Sequence, residues 1–313
     1  MSTTVERATN LRPEGPTARP RPAFLERHAV ATYYALVFAI SWGGILLVLG
    51  RDGLFSTGTT MAVAGVLILV GPPVASLLLT GLVDGRAGLR RLASRLQRWR
   101  VGARWYMVAL LAGPLVMGAT TFGLSLASPE FRPDIVTAED KLGIVAAGIA
   151  IGLVGPFLEE LGWTGFALPR LRRRYGVLTT GLLMGLLWGA WHFPLFAGDT
   201  DPEGTVPAAL LVAAVLFAWL VPYRVLMVWV YDRTGSLLMA YLMHAPITAT
   251  VYVLGSEVTS GTAHVTGVLV WGAVFWGIVA AVAWKNGGAG HREPGRTTRH
   301  PGVRVLSQER GPE

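Results

Sequence analysis

The stretch Val154–Trp163 reads VGPFLEELGW and places two adjacent carboxylates, Glu159 and Glu160, inside a long apolar run. The run extends over residues 142–168, which is long enough to cross a bilayer as a helix. A carboxylate at that depth costs several kcal/mol unless it is paired, hydrated or neutralised. Because ionisable residues inside spans are rare and usually functional, the pair marks this helix as the candidate site of a membrane protein.

The composition also indicates a protein built within the bilayer. Of its 313 residues, 52% are hydrophobic and 15% are charged, and the mean hydropathy is +0.49. Soluble domains carry about 25% charged residues. We predict an all-α polytopic bundle of about eight transmembrane helices, multi-pass in the cell membrane, with the lipid bilayer as a partner. The apolar segments lie near residues 30–50, 58–82, 105–127, 142–168, 177–196, 206–231, 235–254 and 264–284.

The loop charges alternate and predict an orientation. Arginines cluster before the first span, between the second and third, and after the fourth, whereas the loops after the third and fifth spans are acidic. The positive-inside rule then places both termini in the cytoplasm. Attraction to anionic headgroups accounts for the net charge of +8, so no nucleic-acid partner is expected. With no cysteine, the chain has no disulfide, thiolate ligand or cysteine nucleophile.

The chain divides into three parts. Residues 1–27 are predicted to be a disordered basic cytoplasmic segment, and 285–313 a disordered cytoplasmic tail. Residues 28–284 form the membrane-embedded domain, with a motif core at about 142–255. The basic loop 86–104 has apolar residues on one helical face, so it is either an interfacial amphipathic helix or a solvated loop.

Two further spans carry a histidine at depth: His192 in the fifth and His244 in the seventh. His192 and Glu159 each continue a stripe of small residues, so we expect both to face the bundle interior. Glu160, rotated by about 100° from Glu159, should face a different neighbour. The stripes are Gly181, Gly185 and Gly189, and Gly152 and Gly155.

Each histidine is followed two residues later by a proline, Pro194 or Pro246. A proline leaves the carbonyl four residues earlier without its helical donor. Such an opening at membrane depth is tolerated where it lines a cavity or finds another donor, so the recurrence predicts a hydrated pocket.

A carboxylate with two imidazoles supports two kinds of chemistry. Glu159 could act as general base on a water, with histidine orienting it or stabilising an oxyanion. Alternatively, Glu159, His192 and His244 could bind zinc and leave an open position for water. Both routes lead to hydrolysis, although single histidines in spans also serve as hydrogen-bonding groups between helices.

Other side chains in these spans have simpler explanations. Trp163, Trp188 and Trp191 are interpreted as packing residues. Arg224, at a depth comparable to that of Glu160, either pairs with Glu160 or extends to the cytoplasmic interface. The second placement of Arg224 is the favoured one.

These residues resemble the motifs of the CPBP family, the type II CAAX prenyl endopeptidases and their bacterial relatives linked to bacteriocin self-immunity and lysostaphin resistance. The family pattern is Glu-Glu-x-x-x-Arg, then Phe-x-x-x-His, then His-x-x-x-Asn or Asp. The matching segments, within a resemblance that covers about residues 30–255, are Glu159–Thr164, Trp188–His192 and His244–Thr248.

The resemblance implies an intramembrane endopeptidase acting on a membrane-associated peptide or protein substrate. It implies that Glu159 activates water with help from His192, that His244 and Thr248 line an oxyanion site, and that Glu160 is the structural neighbour. A metal is secondary in this interpretation, with zinc as the alternative.

Three positions depart from the family pattern: Thr164 replaces Arg, Trp188 replaces Phe, and Thr248 replaces Asn or Asp. Two other functions are therefore kept beside the endopeptidase. One is a non-catalytic immunity or regulatory protein on the same scaffold, and the other is a proton-coupled transporter. The transporter is disfavoured because no inverted repeat is evident.

Overall fold

A computed structural model describes residues 23–55, 58–196, 207–254 and 261–286. This part of the chain is 89% helical and contains no strand, which confirms the all-α prediction. The longer helices are α1 (Ala23–Leu49), α2 (Gly58–Ile68), α3 (Gly71–Leu79), α4 (Gly85–Leu96), α5 (Ala103–Ala127), α6 (Lys141–Gly162), α7 (Val177–Trp191), α8 (Ala208–Phe217), α9 (Leu220–Thr234), α10 (Leu237–Leu254) and α11 (Gly261–Lys285).

Within these residues, seven helical stretches are long and apolar enough to cross a membrane, so the protein is a multi-pass membrane protein. The fifth predicted span, 177–196, is the one that falls outside these seven, because its helix α7 is apolar but only 15 residues long. At 1.5 Å per residue it reaches roughly 22 Å, less than the hydrocarbon core of about 30 Å. It ends at Trp191 because Pro194 prevents the helix from continuing.

The second predicted span is interrupted between α2 and α3. The sequence Gly71-Pro72-Pro73 starts a new helix, and the Ser41 hydroxyl of α1 donates to the carbonyl of Ile68 at 2.6 Å. The chain then continues into α4, in which Arg86, Arg90 and Arg91 are exposed while Leu92 is buried. The predicted amphipathic helix is therefore present, although it ends at Leu96.

The predicted stripes of small residues lie at helix contacts. Helix α6 packs against α3 and α10, and α7 packs against α9. A Cβ atom at Gly181 would come 2.6 Å from the Cα atom of Val225, and one at Gly185 would come 2.8 Å from that of Val221. Glycine thus lets the α7 and α9 backbones approach closely.

Three predictions concern residues outside the described ranges. Residues 1–22 and 287–313 belong to the predicted disordered segments, and residues 197–206 include the acidic loop. Helix α1 begins at Ala23, before the predicted start of the first span. The cytoplasmic placement of the termini stays a prediction.

Substituting one glycine tests the close approach of α7 and α9. Gly181→Ala should destabilise the protein by about 1–3 kcal/mol, because the added methyl group meets backbone that cannot move away locally. Gly123→Ala in α5 is the control, because a Cβ there has no atom within 4 Å. Thermal unfolding in detergent should show a lower midpoint for the first variant alone. Equal midpoints would contradict the packing argument.

Candidate active site

The two glutamates lie at the C-terminal end of α6, and both are buried, with exposures of 5% for Glu159 and 1% for Glu160. The chain continues into a π-helical turn, Trp163–Ala167, a distortion often found at functional sites. Other helices bond the carbonyls around this turn. Ser76 of α3 donates to Leu161 at 2.7 Å, and Arg95 of α4 donates to Gly165 at 2.8 Å.

Glu160 is fully engaged by donors from three directions. Its Oε1 atom accepts from Arg224 Nη1 at 2.8 Å and from His244 Nδ1 at 2.9 Å. Its Oε2 atom accepts from the hydroxyl of Thr164. The carboxylate thereby joins α6 to α9 and α10 and has the partners that a buried charge requires.

The favoured placement of Arg224 is wrong, and the alternative is confirmed. Arg224 is 0% exposed and pairs with Glu160. The span that holds it is the most enclosed of the seven candidate spans. A side chain surrounded by helices in this way has no lipid-facing route to the interface.

The Arg224 guanidinium also lies over the indole of Trp188, with Cζ 4.1 Å from the ring centroid. A desolvated cation over a Trp face gains on the order of 2 kcal/mol. Its Nε and Nη2 atoms are buried and have no hydrogen-bond partner among the described residues. The aromatic face therefore supplies part of the stabilisation that oxygen acceptors would otherwise give.

Glu159 is held differently, by neutral donors. Its Oε2 atom accepts from Trp188 Nε1 at 2.8 Å and from Trp163 Nε1 at 3.2 Å. Both tryptophans pack in the core as predicted, and their N–H groups also bond the candidate base, which the packing interpretation did not include. Trp191 Nε1 instead donates to Ser41 at 3.0 Å. The Oε1 atom of Glu159 accepts no hydrogen bond from the residues that the structure describes.

His192 follows the last residue of α7 and is half-buried between aromatic rings. Its Nδ1 atom lies 2.8 Å from the carbonyl oxygen of Trp188. A carbonyl only accepts hydrogen bonds, so Nδ1 carries the proton and the Nε2 atom of the neutral ring carries a lone pair. The geometry thus presents His192 as a hydrogen-bond acceptor or base.

The sequence pattern grouped His244 with Glu159 and His192, but in the structure its hydrogen bond goes to Glu160. Its Nδ1 atom bonds Glu160, and its ring meets Trp188 edge-to-face at 4.9 Å. Helical spacing gives the angle between Glu159 and Glu160 but does not say which helix stands at each angle. Thr248 is half-buried one turn after His244, and its predicted role stays a prediction.

The predicted zinc ligands do not converge. In the described ranges, no three His, Asp or Glu side chains form a group that could hold a metal ion. Glu159 Oε2 is bonded to two indoles, and His244 Nδ1 is bonded to Glu160. The donor set therefore does not fit a three-ligand centre, and zinc binding stays a prediction.

Two tyrosines near the site were not identified from the sequence. Tyr33 and Tyr34 of α1 are buried, and their hydroxyls have no hydrogen-bond partner within the described chain. Tyr34 stacks on Trp163 at 5.6 Å, and Tyr33 stacks on Phe166 at 5.1 Å. Two adjacent tyrosines in an apolar span could have drawn attention to α1. Their positions in the sequence, however, do not indicate that they pack near the end of α6.

The fold and the site define a polytopic helical membrane protein whose ionisable residues gather in one buried cluster at the end of α6. The profile of the Rce1-like type II CAAX prenyl endopeptidases matches residues 141–250, from the start of α6 into α10. CAAX prenyl protease 2 of Methanococcus maripaludis is 28% identical over 125 residues, which are 39% of this chain and 45% of that protein. The matched part thus spans less than half of this curated relative. Over the segment that holds the site, these findings support the resemblance to the family that the motifs indicate.

Removing Arg224 tests whether Glu160 depends on it. Arg224→Met should destabilise the protein by about 3–5 kcal/mol, because it leaves a buried carboxylate without its cation. Arg172→Met is the control. It breaks the partly exposed Arg172–Asp232 pair, 2.8 Å apart, and should cost about 1 kcal/mol or less. Unfolding in detergent measures both, and similar losses would contradict a special role for the buried pair.

Returning an arginine to the family's motif position tests the same pair in reverse. Thr164→Arg should recover stability in the Arg224→Met background, because position 164 is one helical turn from Glu160. In the wild type the same substitution should destabilise, because two guanidinium groups would then compete for one buried carboxylate. Destabilisation of equal size in both backgrounds would contradict the idea that Arg224 replaces the motif arginine.

Proposed function

We propose that the protein is an intramembrane endopeptidase that hydrolyses a peptide bond of a membrane-associated substrate with water activated by Glu159 and His192. The observation that carries the proposal is the way these two groups are held. Each has one polar atom fixed by Trp188, and each has its other polar atom, Glu159 Oε1 or His192 Nε2, without a partner among the described residues. Two fixed acceptors at one buried site suit a general base that receives a proton from water.

The roles that we assign to the two glutamates follow from their hydrogen-bond partners. Glu160 is bonded to Arg224, His244 and Thr164, so it has little capacity left for a water. Glu159 accepts both indoles on a single oxygen, so its second oxygen is available. We therefore assign the base to Glu159 and the positioning role to Glu160.

His244 is assigned to the developing negative charge. Its bond to Glu160 fixes the ring through Nδ1 and leaves Nε2 directed away from Glu160. A protonated ring can donate Nε2–H to the oxyanion of a tetrahedral intermediate, and the Thr248 hydroxyl can add a second donor. Glu160 and Arg224 act on the reaction through the position of this ring.

The family match and the name of the relative support a prenylated CAAX peptide as the first substrate class to test. We propose the cell membrane as the location, with the basic loops on the cytoplasmic side. A prenyl chain would enter from the lipid and bring the peptide to the depth of the site.

Peptidase activity can be measured on the full chain in nanodiscs with a prenylated CAAX peptide and its unprenylated form. Glu159→Gln and His192→Ala should each lower the rate by about a thousandfold, because each removes a proton acceptor. Glu139→Gln, in the loop before α6, is the matched neutralisation and should leave the rate unchanged. Cleavage that survives both site substitutions would overturn the assignment. Metal analysis of the active protein separates glutamate–water chemistry from zinc chemistry.

The role of the Trp188 indole has its own test. Trp188→Phe keeps an aromatic ring and removes the N–H donated to Glu159, so kcat should fall about tenfold to a hundredfold. Trp191→Phe removes an indole N–H that serves Ser41 instead and should change kcat by less than about twofold. If Trp188→Phe lowers kcat no more than Trp191→Phe does, then the aromatic ring at position 188, and not its N–H, is what Glu159 needs.

A further inference from the structure

We propose that a cleft at the joined ends of α5, α9 and α11 binds the phosphate of an anionic phospholipid. The cleft has a volume of about 270 Å³. It is separate from the glutamates, and none of its residues belongs to the family motifs. Its lining residues are Arg104, Trp105, Val108, Trp229, Arg233 and Asn286.

The cleft brings together two cations that lack carboxylate partners. Arg104 lies in the first turn of α5 and Arg233 in the last turn of α9, and both side chains are exposed. Neither guanidinium has an acidic group within 4 Å among the described residues, whereas Arg170 and Arg172 are paired with Asp84 and Asp232. Two guanidinium groups that line one cleft are well suited to the oxygens of one phosphate.

Neighbouring groups hold these cations in place and add a donor. Arg233 donates to Asn286 Oδ1, while Asn286 Nδ2 donates to the carbonyl of Val282 at 2.6 Å. Arg104 Cζ lies 5.2 Å from the ring centroid of Trp105, which in turn meets the ring of Trp229 at 5.1 Å. The Nε1 atom of Trp229 is buried and lacks a hydrogen-bond partner within the described ranges. Trp229, which lines the cleft, therefore has an indole N–H that no described residue uses, beside the two guanidinium groups.

The position of the cleft identifies the phosphate as that of a lipid. Three helices begin or end there, next to the arginine-rich chain that joins α4 to α5, so it lies where headgroups meet water. From Arg104 an exposed apolar stripe runs along α5 through Met107, Leu111 and Leu115. A phospholipid can place its headgroup between the arginines and an acyl chain along that stripe, which free phosphate cannot do. Basic pockets between spans on the cytoplasmic side are typical of such recognition.

The test compares retention of phosphatidylglycerol and phosphatidylcholine by the purified full chain, using native mass spectrometry. The wild type should retain phosphatidylglycerol preferentially. Arg104→Gln with Arg233→Gln should weaken that retention by about tenfold or more. Arg86→Gln with Arg90→Gln removes the same charge from the exposed face of α4 and should change it less than about twofold. Equal losses in the two double variants, or equal retention of both lipids, would overturn the proposal.

Two further measurements separate the parts of the site. Trp229→Phe preserves the ring contact with Trp105 and removes only the N–H, so it should weaken phosphatidylglycerol binding by about threefold to tenfold. Unchanged binding of phosphatidylglycerol would show that the indole N–H is not part of the lipid site. Inorganic phosphate should not displace the lipid at millimolar concentration, and displacement at that concentration would assign the cleft to a soluble phosphate. Unchanged thermal unfolding of all variants confirms that the exposed substitutions leave the fold intact.

Discussion

The negative charge of Glu160, buried at 1% exposure, is the constraint on which the rest of the site depends. An isolated carboxylate in such surroundings is strongly destabilising, so the fold must bring a cation and further donors to it. Arg224 and His244 meet the same oxygen from two other helices. The charge therefore links α9 and α10 to α6, while the glycine stripes let α9 approach α7 and α10 approach α6 closely.

The position of Trp188 follows from this pairing. Its ring carries the Arg224 guanidinium on one face, meets both histidines edge-to-face, and donates its N–H to Glu159. A phenylalanine at this position would supply the face but not the donor. The two adjacent carboxylates thus have different partners. Glu160 is paired with the Arg224 cation, whereas Glu159 accepts hydrogen bonds from neutral indole N–H groups. That difference leaves one oxygen of Glu159 without a partner among the described residues.

The sequence predicted the features that depend on local pattern. Apolar runs located the spans, and the spacing of Gly181 and Gly185 located a helix contact. The partner of His244 could not be predicted, because helical spacing gives a rotation angle but not the order of helices around α6. Trp163 and Trp188 were missed as site residues because a hydropathy pattern treats tryptophan as an apolar packing residue. Such a pattern takes no account of the indole N–H as a hydrogen-bond donor. The position of Arg224 was predicted wrongly because its depth in the span fits both an ion pair with Glu160 and a side chain that extends to the interface. Only the burial of α9 among other helices decides between the two.

The source of the arginine changes how the site assembles. An arginine at the motif position would lie on the same helix as Glu160, one turn away, and could pair with it before any other helix docks. Here position 164 is threonine, and the cation comes from α9, 64 residues along the chain from Glu160. The charge of Glu160 is therefore matched only after α9 has packed against α7 and brought Arg224 to Glu160. Site formation and helix packing are thus one cooperative event in this chain, and a substitution that separates α7 from α9 disturbs the Glu160 pair without touching any charged residue.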